Sequence, residues 1–197
     1  MNDSLVRRQR NQVIRDLLAE LDLHGPGEGP HAYRVAVYAV TTGQRLGLDD
    51  AELLNLRYAA ELHDVGKIKI DRELLGKLGE LSDADFDVLR SHARRAEELL
   101  LEHEWLKPAI VLIRHHHERF DGEGYPAGLA GEMIPMGARI IAVAEAYDTI
   151  AAGSAYRCGL DEDKAIEEVR KGAGTQFDPR VVQAFLEIAP LIQPISL

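Results

Sequence analysis

His115, His116 and His117 stand in a row directly before ERFDGEGYP, a loop with two glycines and a proline. Imidazole has no packing advantage over leucine, so this much of it at the mouth of a turn points to chemistry. The chain has eight histidines, and five stand where a ligand would: His31 opening a helix, His63 beside Asp64, His92 in mid-helix, and His116 with His117. Taken singly, each reads as a surface or partly buried side chain. Taken together they read as a site. His63 and Asp64 fall in AELHDVGK, where an apolar helix ends in a glycine turn, so both side chains would sit at a helix end beside irregular backbone. Helix neighbours diverge by roughly 100°, yet two of them can share a metal lying between them. The pairs His63–Asp64 and His116–His117 both have this arrangement, and a carboxylate among imidazoles can bridge two ions. Nitrogen and oxygen ligands without thiolate suit iron, manganese or zinc, and a mixture of the two leans toward iron or manganese.

Composition narrows the classes. A chain of 197 residues, 46% apolar and 28% charged, fits one folded cytoplasmic domain with a real core. No run approaches the roughly 18 apolar residues of a membrane span, and MNDSLVRRQRN lacks the apolar core of a signal peptide. The lone Cys158 can form neither an internal disulfide nor a thiolate metal site. A net charge of −10 with scattered Lys and Arg argues against DNA or RNA. A small anionic substrate would need a local source of positive charge, which bound divalent cations supply.

The elements that must position these residues read as helices. Val6, Val13, Ile14, Leu17, Leu18 and Leu21 fall at helical spacing from about Leu5 to Leu21, and HGPGEGP from His24 stops that helix. Further helices are predicted from His31 to about Arg45, from Asp50 to about His63, and from an Ser82–Asp85 capping box to about Leu101. Others are predicted near Pro108 to His117, Gly137 to Ala152 and Asp163 to Lys171, with a last one at Pro179 capped by Asp178. VGKIKID reads as a loop, Trp105, Ile110, Val111 and Ile113 as core, and no period-2 alternation is sustained. The architecture is all-α.

On that frame AELHDVGKIKID, HHERFDGEGYPAGLAGEMIP, ARIIAVAEAYDTI and GTQFDPRVVQAF follow one another in the order of the HD-GYP motifs. From about His31 to Phe185 the chain resembles the HD-GYP family, a branch of the HD metal-dependent phosphohydrolases. The resemblance implies an HD-type helical bundle around a binuclear metal centre. It also implies hydrolysis of cyclic di-GMP by a metal-bridged hydroxide to linear pGpG, with the end product, pGpG or GMP, left open. Residues 1–28 are then an N-terminal helix with its Gly/Pro-rich connection, and residues 29–197 the HD-GYP domain.

Carried over by position, the resemblance puts one metal on His31, His63 and Asp64 and a second on Asp64, His92, His116 and His117, with Asp64 as bridge. Iron or manganese come first, then zinc, nickel or magnesium. Lys67 would reach the substrate phosphate or the metal-bound solvent, and Tyr125 would border the substrate. The family pattern Asp-Val-Tyr-Asp is here Glu145-Ala-Tyr147-Asp148, so Glu145 takes the ligand position and Asp148 orients a ligand histidine. In Ser154-Ala155-Tyr156-Arg157 the first family cation is replaced and Arg157 remains for substrate. Gly27 stands where a third-metal glutamate would, with Glu28 one residue out of register, so two metals are expected. Gly122 and Gly124 permit positive φ in the GYP loop, and His115 has no family role. A diguanylate cyclase (GGDEF-type) domain and a homodimer are the implied partners beside cyclic di-GMP. The alternatives are a weakly active cyclic di-GMP sensor or interaction module, and an HD phosphohydrolase of another nucleotide.

Overall fold

The computed structural model describes residues 3–152 and 162–192, so Ser154, Arg157 and Cys158 lie outside the described residues. The predicted all-α architecture is what it shows: among the described residues there are helices and turns but no β-strand. No helix among them is long and apolar enough to cross a membrane.

Helix α1 (Asp3–His24) buries Ile14 and Leu21 against the bundle. Helix α2 (Glu28–Arg45) is its centre, packed on α3 (Asp50–Leu62) and on α8 (Met136–Ala152). Small residues at helical spacing allow this: Ala32, Val35, Ala36, Ala39 and Gly43 face inward, and a Cβ at Gly43 would sit 2.9 Å from Leu56 Cδ2. Between these come the short α4 (Arg72–Leu75), α5 (Asp83–Arg90), α6 (His92–Leu100) and α7 (Lys107–Arg114). Helix α9 (Glu162–Lys171) leans on α8, and α10 (Pro179–Ile188) closes over α2 and α8. Tyr147 joins the last three, with ring centroids 5.1 Å from Tyr38 and 5.0 Å from Phe185. Fully buried side chains such as Leu56, Leu62, Ile113 and Phe185 each contribute about 1.5–3 kcal/mol by leaving water.

The structure departs from the sequence reading at five places that matter for function. Helix α2 begins at Glu28, three residues before His31. Gly27 enters it at φ 97°, and Asp22 of α1 accepts from the backbone N–H of Gly27 at 2.9 Å and of Gly29 at 3.1 Å. Pro30 is harmless there, because the first turn of a helix has no intrahelical use for its N–H. Second, Val65–Lys69 is a 3₁₀ turn, not a loop. Third, the helix opened by the Ser82–Asp85 capping box breaks at Ser91. The Ser91 hydroxyl takes the carbonyl of Val88 at 2.5 Å and His92 Nδ1–H takes that of Leu89 at 2.7 Å, two side chains inserted into the helical ladder. His92 therefore opens α6 and does not lie in mid-helix. Fourth, α7 stops at Arg114, leaving all three consecutive histidines in the turn beyond it. Fifth, Val111 faces solvent, while Ile110 and Ile113 are core and Trp105 stacks edge-on to Tyr58.

Candidate metal centre

Three helices end on one point, and a histidine follows each within two residues. His63 follows α3, His92 follows the end of α5, and His116 follows α7. Each donates Nδ1–H to the carbonyl three residues earlier: His63 to Ala60 at 2.9 Å, His92 to Leu89 at 2.7 Å, His116 to Ile113 at 2.6 Å. Those carbonyls are last-turn groups without a full helical complement, so the histidine satisfies the helix end. The same bond occupies Nδ1 and directs Nε2 away from the helix as the nitrogen a cation would take. The negative ends of three helix dipoles meet there, which favours a cation. His31 reaches the same place from the middle of the bundle, its Nδ1–H donating to Asp148 Oδ2 at 2.7 Å.

The lone pairs converge in two groups. His31, His63 and Asp64 each bring one ligand atom to within 4.8 Å of the others, and so do His92, His116 and His117. His92 Nε2 lies 3.4 Å from His116 Nε2 and 3.2 Å from His117 Nε2. Asp64 stands between the groups, with Oδ2 3.2 Å from His63 Nε2 and Oδ1 3.5 Å from His92 Nε2. His63 Nε2 is buried without a hydrogen-bond partner; its contact with Asp64 Oδ2 has the distance of a hydrogen bond but not its alignment. A buried, unpartnered imidazole nitrogen among others like it, beside a carboxylate, fits a divalent cation.

The electrostatics agree with that donor set. Burial lowers the pKa of His92, His116 and His117, and the mutual repulsion of the histidines adds to it, holding His117 down to about 3. All three are neutral ligands at ordinary pH. Burial also acts to lower His63, but the Asp64 carboxylate overrides it and raises His63 to about 9. Asp64 is held well below the usual carboxylate range, its burial outweighed by Lys67, His63 and His92. Lys67 is there because a 3₁₀ turn brings residues three apart onto one side. Its Nζ lies 2.8 Å from Asp64 Oδ2 and 3.0 Å from both oxygens of Glu28. Despite burial, these two carboxylates keep it protonated and raise its pKa.

The remaining expected residues fall around this pair of groups. Glu145 faces the cluster from α8, but its Oε2 is 4.0 Å from His116 Nε2, outside both tight groups. Asp148 accepts from His31 and from a two-pronged Arg34, at 2.7 and 2.8 Å, and those bonds outweigh burial to hold its pKa low. Tyr125 stacks on His117 with centroids 4.9 Å apart and 27° between planes. His115 donates locally to Glu118 at 3.3 Å.

Two residues to which the sequence reading gave no role, Glu118 and Glu28, make contacts around the site. Buried Glu118 accepts from the backbone N–H of Ala127 at 2.8 Å and of Leu129 at 3.1 Å, tying the GYP loop to the histidines. Within that loop Gly122 has φ 86°, as expected, but Gly124 is required for another reason: a Cβ there would lie 2.3 Å from Arg119 N. Glu28, counted as out of register, lines the groove, because a helix that starts at Glu28 puts it and His31 on one face. That groove, about 940 Å³, opens in front of Asp64, Lys67, His92 and His117.

A family model described as HD domain matches residues 12–181. The chain is 33% identical over 183 residues to a cyclic di-GMP phosphodiesterase response regulator, RpfG, of Xanthomonas campestris pv. campestris, covering 92% of this chain and 48% of the relative. It is 33% identical over 172 residues to a 3'3'-cGAMP-specific phosphodiesterase of Vibrio cholerae, covering 87% and 37%. The chain thus spans half or less of these relatives. In structure it resembles Bd1817, an HDG"Y"P protein from Bdellovibrio bacteriovorus, at a TM-score of 0.67, 20% identity, and coverage of 83% and 52%.

Proposed function

The chain belongs to the HD domain family, and from that premise, with the HD-GYP signature in its sequence, we propose that it is a metal-dependent phosphodiesterase that opens cyclic di-GMP to linear pGpG. One observation carries the reading: the Nε2 atoms of His63 and His92 lie 3.2 and 3.5 Å from the two oxygens of Asp64, where a His31–His63–Asp64 group meets a His92–His116–His117 group. His31, His63 and Asp64 would hold one ion, and Asp64, His92, His116 and His117 the other, with Glu145 completing the shell from α8. Two divalent ions, iron or manganese in this reading, supply Lewis acidity and a nucleophilic water at neutral pH when bound.

The chain's own residues do the rest. Asp148 and the three helix-end carbonyls orient the imidazoles, so the ligands need no rearrangement. Lys67 holds a fixed positive charge at the edge of the groove, where a phosphoryl group gathers negative charge during attack. The GYP loop, anchored by Glu118, sets Tyr125 as a wall of the groove. Cytoplasmic location, a diguanylate cyclase domain as partner and pairing with a second copy go with a bacterial messenger as substrate. Arg157 belongs to the same reading as a substrate contact.

The test is to purify the protein anaerobically with iron or manganese, add cyclic di-GMP and 3'3'-cGAMP separately, and follow products by chromatography. Metal and product should both be lost in His63→Ala and Asp64→Ala. Turnover of 3'3'-cGAMP in preference to cyclic di-GMP would move the substrate to the one named for the Vibrio relative. The position of Glu145, 4.0 Å from the nearest histidine, favours a second reading as a nucleotide sensor. Nucleotide binding without product under any metal would select it.

A further inference from the structure

The groove in front of the histidines carries a cation that the chemistry above leaves unused. Arg90, the last residue of α5, has its Cζ 5.6 Å from the centroid of the Tyr125 ring and 5.9 Å from that of Phe86. Among the described residues it has no carboxylate partner. Phe86 leaves 43% of its surface open. All three side chains border the groove that contains Asp64, Lys67 and His117. A guanidinium with aromatic rings over its faces is positioned by them while its N–H edge stays free to donate. Tyr125 also stacks on His117 at 4.9 Å, so this shelf begins one ring away from the metal-ligating cluster.

We propose that Phe86, Arg90 and Tyr125 form a nucleobase shelf, and that Arg90 makes it select guanine over adenine. This rests on the groove being the cyclic dinucleotide site proposed above. In such a substrate a base lies one sugar away from its phosphate, which matches a shelf adjoining the cluster. Aromatic faces stack any base. A guanidinium fork meets two acceptors, O6 and N7, on guanine, whereas adenine turns an amino donor toward it at the 6-position. The aromatic side chains would therefore hold either purine, and Arg90 would tell them apart.

Arg90→Gln and Phe86→Ala change exposed side chains and are expected to fold. The metal-loaded variants and wild type are assayed on cyclic di-GMP, on cyclic di-AMP, and on bis(p-nitrophenyl) phosphate, a diester with no nucleobase. Arg90→Gln is expected to lower kcat/KM for cyclic di-GMP relative to cyclic di-AMP by roughly ten- to a hundredfold, mainly through KM. Phe86→Ala should weaken both cyclic dinucleotides by a similar factor, and Arg90→Gln should not change hydrolysis of the base-free diester, which offers no O6 and N7 pair. Equal losses on both cyclic dinucleotides in Arg90→Gln would make it a phosphate contact and overturn the shelf, as would no loss at all. A wild type that cleaves only the base-free diester defeats the substrate reading itself, an outcome visible before any variant is made.

Discussion

The Nδ1–H of His31 on α2 and the Oδ2 of Asp148 on α8 are 2.7 Å apart, and Arg34 grips the same carboxylate with two bonds. The carboxylate must be charged to accept three donors, and in doing so it holds the His31 ring with Nε2 turned to the cluster. Asp148→Asn keeps the shape but brings an amide that can present a donor to His31. Loss of such an outer partner typically weakens metal affinity by about 10- to 100-fold. The expected outcome is one ion retained and one weakened, read by metal titration against a competing chelator. Two ions bound as tightly as in the wild type would show that His31 needs no such support.

Lys67 is pinned between Asp64 and Glu28 and has no lone pair to offer a metal while protonated. Lys67→Met should therefore keep both ions yet lower kcat by roughly 10²-fold, the usual effect of removing one donor aimed at developing negative charge. Metal content and single-turnover rate, measured on one preparation, separate these roles. If the ions leave with the lysine, its charge is needed to keep Asp64 in place and not for the phosphoryl oxygens.

Gly66 packs the 3₁₀ turn directly against the start of α6. A Cβ there would lie 1.9 Å from the carbonyl oxygen of His92 and 2.5 Å from the amide of Ala96, both backbone atoms that cannot swing aside. Gly66→Ala must push the turn bearing Asp64 and Lys67 away from His92. The cost should reach the upper end of the about 1–3 kcal/mol usual for overpacking, measured by denaturant unfolding, with loss of the ion shared between Asp64 and His92. Unchanged stability would mean that the turn and α6 do not pack this closely in solution.

Much of this centre was legible in the sequence because its ligand types are unusual and come in adjacent pairs. His63 with Asp64 and His116 with His117 cannot both be packing residues at the ends of apolar helices. What stayed hidden depends on where the backbone stops. The break at Ser91 is made by two side-chain bonds within one turn, and no periodicity signals it. Glu28 stands one residue out of register with the family's third-metal glutamate, in a stretch that reads as a helix breaker, whereas Asp22 of the preceding helix caps the amides and lets α2 begin there. Glu118 lies inside the His-His-Glu motif, but its role depends on the fold turning it inward beneath two backbone amides. Arg90 and Phe86 stand four apart on an exposed helix, and nothing in their spacing marks a site. Only the approach of Tyr125 from the GYP loop makes them a surface with a purpose.

Metal removal should give stability a pH dependence of defined sign. In the metal-free protein the pKa of His92, His116 and His117 lies below the ordinary value of 6.5, with His117 at about 3. The unfolded chain then takes up protons that the folded one refuses, so stability falls as pH drops below 6.5. His63 behaves oppositely. Its folded pKa of about 9 lies above 6.5, so its contribution is fully present below 6.5 and is lost as pH rises through 9. The chelated protein should therefore show its highest Tm near pH 6.5, falling on both sides. A bound cation replaces the proton on His63 and competes with those on the other three, which flattens the alkaline limb and moves the acid limb lower. Thermal scans from pH 5 to 9 with and without chelator read the difference directly. A Tm that rises steadily to about pH 9 in the chelated protein would place His63 away from Asp64 and undo the geometry on which the proposed centre rests.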